Sequence, residues 1–211
     1  MAEAPPEKET TRVEAFSDGV FAIAITLLIL DIRVPRPPDD SAAPFNLAHE
    51  LLALWSPLLA YLMSFAIILV MWVNHHRIFT VVRRIDQAFL FWNGLLLMLV
   101  TFVPFPTGLL SEYMTHGGRD ELRLAALVYA GHGTLIALAF TRLWRYAIKG
   151  GRLLTPGHME DEVRRMSDQY RYGPLAYLVA LLVALVSPWS SIGICLALAA
   201  FYAFSGLAGR G

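Results

Sequence analysis

Six runs of mainly apolar residues, most of them close to the length that crosses a lipid bilayer, constrain this chain more than any other feature. A spanning helix needs about 20 such residues, because in hydrocarbon every backbone N–H and C=O must be satisfied within the segment. The runs are Arg12 to Ile32, Leu51 to Val73, Ala88 to Phe105, Leu122 to Tyr146, Gly173 to Val186 and Pro188 to Leu207. With 56% hydrophobic and 16% charged residues, little chain is left for a soluble domain. The expectation is an all-α integral membrane protein with six transmembrane helices. Residues 1–10 would form a short disordered tail, 11–207 one membrane domain and 208–211 a C-terminal tail.

The fifth run is short, and a charged segment before it supplies extra length. There Thr155 and Pro156 make a cap and first turn, and Met159, Val163, Met166 and Tyr170 recur at helical spacing. Ser187 and Pro188 mark the turn into the sixth run. Cys195 is the single cysteine and lies in an apolar run, which removes intrachain disulfides and cysteine-based zinc sites. The net charge is zero, so no global field attracts nucleic acid. Neither H-E-x-x-H nor G-x-S-x-G occurs, and an enzyme is not expected.

Positive charge orients the helices. In a six-helix arrangement Arg33, Arg36, Arg119 and Arg123 fall on one side, and the remaining 13 of the 17 Lys and Arg fall on the other. That asymmetry predicts a multi-pass protein of the cell membrane with both termini cytoplasmic. The opposite surface carries Asp31, Asp39, Asp40, Glu50, Glu112, Asp120 and Glu121, and a net acidic mouth there concentrates cations.

The first run opens with Thr11, Arg12, Val13 and Glu14, which has the pattern of a capping box. A few residues on come Ser17 and Asp18. An aspartate in a spanning helix costs roughly 2.5 to 3.5 kcal/mol on insertion scales unless it meets a partner or water. Phe16, Gly19, Ile23, Leu27 and Leu30 share one face, about 140° from Asp18 when Ile23 is the reference. Ile25 and Ile29 fall away from that face. Contact with lipid or with a neighbouring helix would explain such a face, and periodicity alone does not make it a pore.

The run R-V-E-A-F-S-D, carrying Arg12, Phe16, Ser17 and Asp18 and followed by G-V-F-A-I-A-I-T-L-L-I-L-D-I, resembles the signature that opens the first helix of the transmembrane protein 175 family. The resemblance implies a potassium-permeable channel without a T-V-G-Y-G filter, and that sequence is absent. One six-helix unit per chain implies a homotetramer in which four copies of the first helix surround a central pore. Ile23, Leu27 and Leu30 take the positions at which such pores narrow, and Asp31 stands at the outer mouth. The permeant ion is K+, the partners are the sister chains, potassium ions and the lipid bilayer, and no cofactor or metal is implied. Rings of aliphatic side chains can gate by dewetting. Thr26 is read as bonding back to its own backbone.

The second run ends in Trp72, Val73, Asn74, His75, His76 and Arg77, at the same depth as Ser17 and Asp18. Asn74, His75 or His76 is therefore the expected partner of Asp18, with Arg12 as a second candidate. A competing class is a metal-ion or proton-coupled transporter built on Asp18, His75, His76 and the mid-helix His132. Adjacent histidines point about 100° apart on a regular helix, which disfavours joint ligation. His132 lies between Gly131 and Gly133, a pattern of close helix packing.

Overall fold

A computed structural model describes residues 7–37, 45–154 and 160–208. Among these the regular structure is all helical, apart from one isolated backbone bridge between Val82 and Leu154. The elements are α1 (Glu7–Leu27, continued by a 3-10 turn Leu28–Asp31), α2 (Leu47–Ala53), α3 (Trp55–Val81), α4 (Gln87–Thr101), α5 (Pro104–His116), α6 (Arg119–Ile148), α7 (Glu160–Arg171), α8 (Gly173–Ala184) and α9 (Pro188–Ala208).

Helices stand at all six expected places. Four segments are long and apolar enough to cross a membrane: Thr10–Asp31, Trp55–Val81, Gln87–His116 and Arg119–Gly151. The 12-residue α8 and the apolar Pro188–Tyr202 stretch of α9 are shorter. The charged segment before α8 does form a helix, α7, which meets α8 at Tyr172 and buries Met166 and Tyr170 as its spacing predicts. Thr155, Pro156, Met159, Asp39 and Asp40 lie outside the described residues.

Two local expectations are corrected. Helix α1 begins at Glu7, so residues 7–10 belong to it rather than to a tail, and Thr11 and Glu14 lie inside it instead of capping it. The third span does not stop at Phe105. It tightens at Phe102 and Val103, whose amides reach three residues back to Leu99 and Val100, and then continues as α5. Pro104 and Pro106 are the cause, because each removes an amide and crowds the preceding turn.

The helices pack around two apolar cores. The first joins Phe21, Ala24 and Leu28 of α1 to residues of α3, α4, α6 and α7. The second joins Leu110 of α5 and Ala126 of α6 to Tyr177 of α8 and Cys195 of α9. Close approach of α6 to α8 depends on Gly133, where a Cβ would lie 2.7 Å from the Tyr177 ring. Gly133 thus serves packing, whereas a Cβ at Gly131 would only reach Leu181 at 3.6 Å; His132 itself bonds through Nε2 to the Leu99 carbonyl at 3.0 Å. Helix α1 lies to one side of the bundle, against α3 and α4.

Candidate functional site

Helix α1 has two unlike sides. Ser17, Phe21, Ala24 and Leu28, at steps of four, three and four, form a stripe with at most 1% exposure. Facing away, Phe16 is 68% exposed, Ile23 58%, Leu27 40% and Leu30 71%. Gly19, Ala22 and Thr26 are exposed on the same side. The face expected to be free is therefore free within one chain. Ile25 is partly buried as expected, but Ile29 is half exposed. At about 100° per residue Ile29 falls about 20° from the exposed Ala22 and about 100° from the buried Leu28, so lying off the Ile23 side does not place it in the core.

The packed side of α1 is held by polar groups near its beginning. The Ser17 hydroxyl donates to the Val13 carbonyl at 2.8 Å and accepts from Asn93 Nδ2 at 3.0 Å. Asn93 Oδ1 sits 2.8 Å from His75 Nε2. Because the Asn93 oxygen only accepts, His75 must donate through Nε2. His75 is fully buried, with its ring between Phe21 at 5.2 Å and Phe79 at 4.8 Å, and its Nδ1 has no hydrogen-bond partner among the described residues. Three helices, α1, α3 and α4, are thereby tied by one chain of side-chain bonds.

Asp18 is met differently from expectation. Its Oδ1 accepts from Trp72 Nε1 at 2.9 Å, so the donor is the indole of α3 rather than Asn74, His75 or His76. One turn further along α3, His76 Nδ1 lies 2.8 Å from Glu14 Oε1 and its ring stacks on Trp72. Residues 72 and 76 on α3 match 18 and 14 on α1, the register of two antiparallel helices with four-residue steps on each. Asn74 points elsewhere and lies within 3.5 Å of the Tyr170 hydroxyl. Arg12 is exposed and is not among the side chains that hold Asp18.

At the opposite end of α1, Asp31 lies in an open cleft of about 610 Å³ with Arg33, Glu50, Glu112 and His116. Its carboxylate rests on α5 where Gly108 leaves room: a Cβ there would stand 3.2 Å from Oδ2. Thr26 donates to the Ile23 carbonyl at 2.9 Å, the backbone bond expected of it.

Among the described residues, no three His, Cys, Asp or Glu side chains come together in a way that could hold a metal ion. Asp18, His75, His76 and His132 are thus not gathered into one metal-ligand set among these residues. Two participants escaped the sequence reading. Asn93 is the one amide in the run 88–105, and that isolation was the available signal. Glu14 was assigned to a helix cap, which concealed its reach to α3.

The family model described as the endosomal/lysosomal potassium channel TMEM175 matches residues 12–104. A potassium channel of Chamaesiphon minutus is 55% identical over 203 residues, covering 96% of this chain and 98% of that one. A potassium channel of Streptomyces collinus is 42% identical over 197 residues, 93% of each chain. The endosomal/lysosomal proton channel TMEM175 of Homo sapiens is 40% identical over 122 residues, which are 56% of this chain and 24% of that one. The crystal structure of a lysosomal potassium-selective channel TMEM175 homologue from Chamaesiphon minutus matches with a TM-score of 0.83, covering 94% of this chain and 98% of that one at 52% identity. A variant of the potassium channel MtTMEM175 shares the fold, with a TM-score of 0.63 at 21% identity over 93% of this chain and 88% of that one.

Proposed function

This chain belongs to the TMEM175 family, and from that premise we propose that it forms a potassium-permeable cation channel whose pore is lined by α1. The observation that carries the reading is the division of α1 into an anchored side and a free apolar side. Glu14, Ser17 and Asp18 bond toward α3 and α4, while Phe16, Ile23, Leu27 and Leu30 remain exposed in a single chain. Four copies of that face enclose a pore, which makes the working unit a homotetramer.

Ile23, Leu27 and Leu30 form stacked rings over about 10 Å of pore at 1.5 Å per residue. An apolar neck of that length empties of water when narrow, and ions pass only when it widens. Since Thr26 spends its hydroxyl proton on its own helix, side-chain oxygens are scarce at this level, and discrimination rests on neck radius and the dehydration of the ion. The channel domain runs from the start of α1 at Glu7 to the end of α9. The excess of Lys and Arg at the end where α1 begins puts both termini in the cytoplasm of a multi-pass cell-membrane protein, and Asp31 at the outer mouth. K+ is the permeant ion and no cofactor takes part.

Reversal potentials of the purified protein in liposomes, under separate potassium, sodium and proton gradients, test this. The reversal should follow the potassium gradient most closely. No current response to potassium or sodium would remove the channel reading, and a reversal that follows protons alone would replace its ion.

A further inference from the structure

The end of the bundle where α1 begins carries a second assembly of side chains that the pore reading does not use. The connection between α3 and α4 is clasped to the segment after α6: Val82 bridges Leu154, and the amides of Arg83 and Arg84 both donate to the Leu153 carbonyl. The reverse of direction is made at Gly150 and Gly151, both at positive φ. A knot at Asp86 completes the clasp. Its Oδ1 accepts from the Phe89 amide at 2.8 Å, and its Oδ2 accepts from the Tyr146 hydroxyl at 2.7 Å and from Arg152 Nη1 at 2.6 Å. The Arg152 guanidinium also lies 5.0 Å over the Tyr146 ring.

This knot consumes the carboxylate nearest the clasp. Around it, Arg83, Arg84, Arg142, Arg145 and Lys149 are exposed, and among the described residues none has an ion-pair partner. Arg142, Arg145 and Tyr146 recur at helical spacing on one face of α6, and Lys149 follows at its C-terminal cap. Tyr146 reaches Asp86, so that face looks toward the connection carrying Arg83 and Arg84. The acidic helix α7 packs on the other side of α6, where Trp144 donates to Ser167 at 2.9 Å. Helix α6, with 30 residues, is about 45 Å long against a hydrocarbon core of about 30 Å, so its last turns stand at headgroup depth.

We propose that Arg83, Arg84, Arg142, Arg145 and Lys149 form a docking edge for the phosphate headgroups of anionic phospholipids. Charge complementarity and depth favour that occupant: guanidinium and ammonium groups that have no ion-pair partner among the described residues sit where lipid phosphates are densest. The edge also touches the pore helix, because the Thr10 hydroxyl donates to the Arg83 carbonyl at 3.0 Å. A headgroup drawn onto Arg83 and Arg84 therefore steadies the connection against which α1 begins. The proposal does not depend on the channel reading, since it is tested by binding.

The test is native mass spectrometry of the full-length detergent-solubilised protein titrated with phosphatidylglycerol or phosphatidylcholine, with the thermal midpoint followed in parallel. Wild-type protein should retain phosphatidylglycerol in preference, and added salt should weaken the preference by screening exposed charges. Replacing Arg83, Arg84, Arg145 and Lys149 together by Gln should lower retention about tenfold or more. The charge-preserving set Arg83→Lys, Arg84→Lys, Arg145→Lys and Lys149→Arg should keep it, as should Arg164→Gln with Arg171→Gln on α7. Equal retention of the two lipids by wild type, unchanged retention in the four-Gln variant, an equal loss in the α7 variant, or displacement by inorganic phosphate at the lipid's own concentration would each overturn the proposal.

Discussion

At residue scale, Asn93 holds more of the anchor than any residue of the F-S-D signature. It bonds in both directions, to Ser17 and to His75, with 3% exposure. Asn93→Ala leaves the His75 Nε2–H without its acceptor, and a buried donor so stranded costs about 1–3 kcal/mol. Trp72→Phe removes one hydrogen bond to Asp18, whose site is half-buried, and the carboxylate regains water, so the loss should be about 1 kcal/mol or less. Thermal midpoints of the two variants in detergent should fall in that order. A larger drop for Trp72→Phe would show that Asp18 rather than Asn93 is the main tie. Asp18 and His75 were both visible in the sequence as polar residues at matching depth. Which donor meets which acceptor was not, since that depends on helix rotation by tens of degrees.

At the scale of an element, α1 offers a comparison between its two sides. Ile23→Asn or Leu27→Asn puts one amide per chain into the proposed neck, wetting it, and ion flux per protein should rise while preference for potassium over sodium falls. Leu28→Asn buries the same amide in the core, where an unpaired polar group costs about 1–3 kcal/mol, and should lower the yield of assembled protein instead. Unchanged flux in both exposed-side variants would place the pore elsewhere. The α3–α4 connection makes a second element-scale prediction, on pH. Burial pushes the Asp86 carboxyl up, but the hydrogen bonds from Tyr146, the Phe89 amide and Arg152 outweigh it and hold the carboxyl below its ordinary value. A folded pKa below the unfolded one contributes stability above the unfolded value of about 3.9, and that stability is lost as pH falls through the folded value. Acidification below pH of about 4 should therefore destabilise wild type more than Asp86→Asn, as read from thermal midpoints. Parallel decline of the two would mean that the knot contributes nothing.

At the scale of the whole molecule, the proposed tetramer would cover the exposed side of α1 with other copies of the chain. Within one chain Leu30 is 71% and Phe16 68% exposed, and contiguous apolar surface of this kind marks a partner or lipid. Cysteine placed at Gly19, where a Cβ meets nothing within 4 Å, reports which. With Cys195 buried and its thiol little available, oxidative cross-linking of Gly19→Cys in membranes should join chains of the same protein, and the mass of the purified complex should be that of four chains. Absence of both cross-links and tetramer mass would put this face against lipid.

The sequence by itself determined the class of molecule, the places of the helices and the unequal sides of α1. Those follow from apolar runs of about 20 residues and from a 3.6-residue period, both local properties of the chain. It also carried the F-S-D signature and the close packing around His132. The tertiary structure alone decided that Trp72 holds Asp18, that Glu14 meets His76, that Asn93 joins Ser17 to His75, and that the third span breaks at Phe102 and Val103 and continues as α5. It alone also showed Asp86 taken up by the clasp, leaving the neighbouring basic side chains without ion-pair partners among the described residues. Those pairings join residues 18 to 76 positions apart in the chain. Their geometry is set by how helices rotate and slide when their apolar sides are packed together, and no local period encodes that.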